Sequence, residues 1–225
     1  MKNKNIWFIT IFSLFACGLH ALMLLTQFNY YLYTSAFKVF VFILFPVLYF
    51  ALSKNGKFKD LLSLKGDKKN IRLSFIIGAG VFIFIQVGFI ILRPFFDEAM
   101  IIDALENNGI TSSNFPLVFI YIVLINAALE EIFFRGFLFL TIHRMGFKLY
   151  AHIYSSLLFA IYHVAILNEA VSIALLAFLI FGLVAAGVIF NYFALKCKSI
   201  SGSLIVHISA NLSLNLIVGI YYLFG

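Results

Sequence analysis

The chain has 225 residues, of which 64% are hydrophobic and only 11% charged, with a mean hydropathy of +1.07. A water-soluble domain of this length needs far more surface charge, so the composition specifies a polytopic membrane protein. The formal net charge of +7 would suit a nucleic-acid binder, but the basic residues lie in short loops between apolar runs. That is topology signalling and excludes a basic recognition face, so no nucleic-acid partner is expected.

Windows apolar enough for a hydrocarbon core of ~30 Å fall at 6–25, 36–52, 72–92, 116–140, 151–167, 171–194 and 203–224, which predicts an all-α bundle of about seven spans. The first window exceeds a usual signal-peptide h-region and no A-x-A site follows it, so it reads as a transmembrane helix. Between the windows the charge alternates. Residues 1–5 carry Lys2 and Lys4, and 53–72 carry Lys54, Lys57, Lys59, Lys65, Lys68, Lys69 and Arg72 against Asp60 and Asp67. Arg144 and Lys148 follow in 141–150, and Lys196 and Lys198 in 195–202. The other set is neutral or acidic: 26–35 is uncharged, 93–115 holds Asp97, Glu98, Asp103 and Glu106 against Arg93, and 168–170 holds Glu169. Thirteen of the sixteen Lys and Arg thus fall on one side, which places the N-terminus in the cytoplasm and the C-terminus outside.

The segment 93–115, with Pro94, Asn107-Asn108-Gly109 and Pro116 beyond it, is the one breaker-rich linker. It separates an N-terminal helical part, 1–114, from a C-terminal part, 115–225, in which the site candidates fall. The 29 phenylalanines suit lipid-facing bulk, and Cys17 and Cys197 read as isolated thiols without metal-ligand or redox spacing. Gly182 and Gly187 read as close-packing positions in the sixth span.

Within VLINAALEEIFFRGFLFL, residues 123–140, stand Glu130, Glu131 and Arg135. An ionised group near a bilayer centre costs roughly 2.5–3.5 kcal/mol on insertion scales, so three together require a reason. Glu131 and Arg135 are i,i+4 with the acid first, the favourable order for an ion pair on one helix face. Glu130 points about 100° away, with Asn126 one turn before it and no basic partner on its own helix. A carboxyl so placed is driven toward its neutral form unless another helix supplies a cation or donors. The fifth span offers His163, one turn after Phe159, and the seventh offers His207, Asn211 and Asn215 as a stripe at i, i+4 and i+8. These should point into the bundle at compatible depth and meet Glu130. His20, His143 and His152 read as local packing or interface residues.

The ordered set EExxxR (Glu130, Glu131, Arg135), FxxxH (Phe159, His163) and HxxxN (His207, Asn211) resembles the CPBP family. That family comprises type II CAAX prenyl endopeptidases and bacteriocin-processing or self-immunity proteins, also called the Abi family. The resemblance spans about 115–220 and implies an intramembrane endopeptidase. It implies that Glu130 and His163 hold and activate a water, with Glu130 as general base. His207 and Asn211 would stabilise the oxyanion, and Glu131, Arg135 and Phe159 would support them. The implied partners are a peptide or membrane-protein substrate and the lipid bilayer, and the implied location is the cell membrane. No cofactor is expected. The alternative is zinc on Glu130, His163 and His207, as in His₂Glu sites, but HExxH is absent and that use leaves no evident base. A non-catalytic immunity or scaffold protein is the rival of a different class, and a transporter is disfavoured because repeat halves are lacking.

Overall fold

The computed structural model describes residues 2–25, 30–53, 56–95, 98–167 and 173–224. Residues 26–29, Lys54, Asp97 and Glu169, which belong to the predicted loops, lie outside these. The described chain forms α1 (Lys2–Leu24), α2 (Tyr31–Ser53), α3 (Lys68–Leu92), α4 (Glu98–Asn107), α5 (Phe115–Arg144), α6 (Lys148–Leu167), α7 (Ile173–Cys197) and α8 (Ser201–Phe224). Six of them are long and apolar enough to cross a membrane: α1, α2, α3, α5, α7 and α8. The span expected at 151–167 is α6, a helix of 20 residues.

Side-chain contacts fix the helix directions. Thr10 and Ser13 of α1 share hydrogen bonds with Tyr150 and Tyr154 of α6 at 2.9 and 2.7 Å, so these helices run parallel. The Gln86 amide of α3 donates to the Ser213 carbonyl of α8 at 2.9 Å, and Ser209 abuts Gly78, so this pair is also parallel. One end gathers the basic loops: Ser199 Oγ and Ser201 Oγ both donate to the Lys65 carbonyl, and Asn70 Nδ2 donates to the Lys196 carbonyl at 3.2 Å. The other end gathers the acidic linker, where the Tyr31 amide donates to Asn108 and the Tyr222 hydroxyl to the Ile110 carbonyl. The segregation of charge read from the loops is therefore also a segregation in space.

The linker 93–115 contains a helix that its breakers concealed. α4 ends where Asn107-Asn108-Gly109 forms a Schellman turn: Gly109, at φ +77°, and Ile110 donate back to Glu106 and Leu105 at 2.8 and 2.9 Å. α5 is unusual in another way. Its turns at Tyr121–Asn126 and Glu131–Leu140 are widened to the i→i+5 pattern of a π-helix, with one α-helical turn, Ala127–Glu130, between them. Widened turns recur at functional sites and leave backbone carbonyls in need of partners. Here Asn211 Nδ2 donates to Ile122 O, Ser155 Oγ to Phe134 O and Thr141 Oγ1 to Gly136 O, each at 3.0 Å. α6 and α8 are thus bolted to α5 by hydrogen bonds as well as by packing.

The phenylalanines divide between two roles. Phe75, Phe84, Phe178 and Phe181 face outward, as lipid-facing bulk should. Phe42, Phe133, Phe134, Phe137, Phe139 and Phe159 instead form the core, with Phe42 of α2 stacked on Phe133 of α5 at 4.1 Å between centroids. Of the two candidate packing glycines, a Cβ at Gly187 would meet Ser156 Cα at 2.9 Å, whereas Gly182 has open space. Cys17 and Cys197 are free, buried thiols.

Candidate active site

The site is built on the α-helical turn of α5 that separates its two widened segments. Glu130 closes that turn and Glu131 opens the second widened segment, both buried, at 1% and 0% exposure. Glu131 makes the predicted pair, its Oε1 lying 3.3 Å from Arg135 Nη1. The Arg135 guanidinium is flanked by two rings set at 75° to one another, its Cζ 4.3 Å from the Phe159 centroid and 4.7 Å from that of Phe190. Phe159 therefore supports the site by holding Arg135. Cation–π attraction reaches about 2 kcal/mol or more in a desolvated setting such as this.

His207 of α8 joins the two acids. Its Nδ1 lies 2.9 Å from Glu131 Oε1, and because a carboxylate only accepts, this nitrogen donates. Its Nε2 lies 3.5 Å from Glu130 Oε2. The ring is clamped by Phe190, stacked at 4.9 Å, and by the edge of Phe159 at 5.9 Å. The acid of α5 and the imidazole of α8 thus meet as the sequence pattern anticipated.

His163 of α6 stands beside this pair, half-buried, and interacts electrostatically with Glu130. Its Nδ1 donates to the Phe159 carbonyl at 2.7 Å, which leaves Nε2 as the acceptor of the neutral ring. Its ring lies 4.8 Å from that of Tyr162, whose hydroxyl is 3.4 Å from Glu130 Oε1. Asn211 is placed one turn beyond His207 and commits one amide N–H to Ile122 O, while its own carbonyl accepts from Asn215 Nδ2 at 2.8 Å. His20 packs in the core at 5.4 Å from Tyr162, and His143 and His152 gather around Phe139 near the basic end.

Glu130 has the cation that its own helix lacks. Lys38, buried in α2, donates from Nζ to Glu130 Oε1 and to Asn126 Oδ1. Asn126 Nδ2 completes the triangle at 3.2 Å from Glu130 Oε1. The ammonium also lies 4.9 Å from the Tyr162 ring. Lys38 and Tyr162 are site residues that motif reading passes over. The available signal was a lysine inside an apolar span, a placement that costs about 2.5–3.5 kcal/mol and so calls for a partner.

Residues 112–213 match the family model described as type II CAAX prenyl endopeptidase Rce1-like, the family to which the three motifs pointed. The matched segment runs from the turn before α5 into α8 and contains Glu130, Glu131, Arg135, Phe159, His163, His207 and Asn211. Lys38 lies outside it. No curated protein and no solved structure matches the chain.

Proposed function

We propose that this chain, Rce1-like over residues 112–213, is an intramembrane endopeptidase that cleaves a membrane-associated peptide or protein with water as nucleophile. The observation that carries the reading is the buried apposition of Glu130 and His207 at 3.5 Å, with Glu131 and Arg135 orienting the imidazole from behind. Glu130 Oε2 removes a proton from water as the water oxygen bonds to the scissile carbonyl carbon. His163 Nε2 accepts the second water hydrogen bond and aligns the attack. The carbonyl electrons move onto its oxygen, where the remaining N–H of Asn211 and the Nε2–H of protonated His207 stabilise the oxyanion. Collapse breaks the C–N bond, and the proton held by Glu130 passes to the departing nitrogen.

Glu130 is taken as the base and not as a zinc ligand, because Lys38 Nζ already occupies its Oε1 and use of Oε2 as a ligand would leave the site without an evident base. The proposed steps use no metal. The membrane location follows from the apolar helices. The basic loops at one end of the bundle support a cytoplasmic N-terminus and an outer C-terminus.

The test is peptide profiling of native membranes holding wild type or Glu130→Gln. A cleavage product present only with wild type supports the reading and supplies the substrate. Identical profiles, together with an intact biological phenotype, would place the protein among non-catalytic immunity or scaffold proteins.

A further inference from the structure

Three groups contact Glu130 Oε1, whereas His207 lies against Oε2. Lys38 Nζ, Asn126 Nδ2 at 3.2 Å and Tyr162 OH at 3.4 Å converge on Oε1. Oε2 takes no hydrogen bond among the described residues and faces His207 Nε2. A carboxylate pinned through one oxygen cannot turn, so the identity of its reactive oxygen is set. Each acid also has a cation of its own, Lys38 for Glu130 and Arg135 for Glu131. Arg135 is on the same helix as its acid, but Lys38 comes from α2, on the far side of the linker.

We propose that Lys38 is a positioning residue of the hydrolytic site, holding Glu130 ionised and oriented through Oε1 so that Oε2 receives the proton of the attacking water. The proposal rests on the reading of Glu130 as general base. Lys38 touches Oε1 and not the reacting atoms, so it acts through Glu130. Its consequence is that the site is incomplete within residues 112–213. The N-terminal helices then form part of the enzyme, and Phe42, one turn after Lys38, locks α2 in register by stacking on Phe133.

The experiment compares wild type, Lys38→Met, Lys38→Arg, Glu130→Gln and the Lys38→Met/Glu130→Gln double variant, purified in detergent and reconstituted in liposomes. Each single neutral variant strands a buried charge and should lower the unfolding midpoint. The double variant strands none and should recover most of the loss. Strictly additive losses would overturn the pairing. With a cleavable peptide, Lys38→Met should lower kcat about 100-fold, the low end of a general-base contribution, with KM changed less than about twofold. Lys38→Arg keeps the cation and should recover about tenfold of that loss. Wild-type kcat in Lys38→Met, or no rescue by arginine, would overturn the positioning role. If Lys38→Met fails to fold, recovery in the double variant and the kcat of Lys38→Arg still decide. If Glu130→Gln retains activity, the general-base reading fails, while the midpoints still decide the Lys38–Glu130 pair.

Discussion

Arg135 is the side chain whose loss should be felt most by the fold. Its guanidinium is wholly buried, with Nη1 3.3 Å from Glu131 Oε1. At that separation and an effective dielectric of about 20, the pair attraction is about 5 kcal/mol. Desolvation of both ions offsets much of it, so Arg135→Ala chiefly measures the carboxylate left behind, about 3–5 kcal/mol. Arg135→Lys keeps the charge but loses the guanidinium's contacts with the Phe159 and Phe190 rings, and should cost about 1–2 kcal/mol less than alanine. Glu131→Gln/Arg135→Met removes both charges, retains an acceptor for His207 Nδ1, and should recover most of the stability. Equilibrium unfolding in mixed detergent and SDS micelles reads these differences. An Arg135→Ala variant within about 1 kcal/mol of wild type would refute the reasoning, because a buried carboxylate cannot lose its cation at so small a penalty.

Three further outcomes follow from the same geometry. Ser155→Ala leaves the Phe134 carbonyl without its donor and should destabilise by about 1–3 kcal/mol, with kcat unchanged, by the same unfolding assay and peptide kinetics. Asn211→Ala should lose about 0.6–1.7 kcal/mol of stability for its bond to Ile122 O, but kcat should fall about 10²–10³-fold if its second N–H serves the oxyanion. Treatment of the reconstituted protein with o-phenanthroline should leave peptide cleavage unchanged, and loss that zinc restores would require a different chemistry.

Much of this was legible because polar residues stand out against apolar helices. Glu131 and Arg135 pair as their spacing requires, and His207 reaches Glu130 because its stripe must face inward. What was not legible is chiefly pairing at long range. Lys38 and Glu130 are 92 residues apart, and nothing in either local run names the other. The widened turns of α5 left no trace in composition either. They arise where Asn211, Ser155 and Thr141 stand ready to take up freed carbonyls, a fact of packing. Asn211 illustrates the limit: its spacing from His207 marked it for the site, yet its visible bond holds α8 to α5. α4 was hidden because its ten residues are flanked by Pro94 and Asn107-Asn108-Gly109, which read as an unbroken linker.

The proposed role of Glu130 is to activate water for peptide hydrolysis inside the bilayer. It is tested most directly with purified wild type and Glu130→Gln in liposomes, given a peptide first identified from native membranes, with cleavage followed by mass spectrometry. Wild type should cleave, and Glu130→Gln, folded and at equal amount, should be slower by about 10²–10⁴-fold. Equal cleavage rates from the two proteins would contradict it.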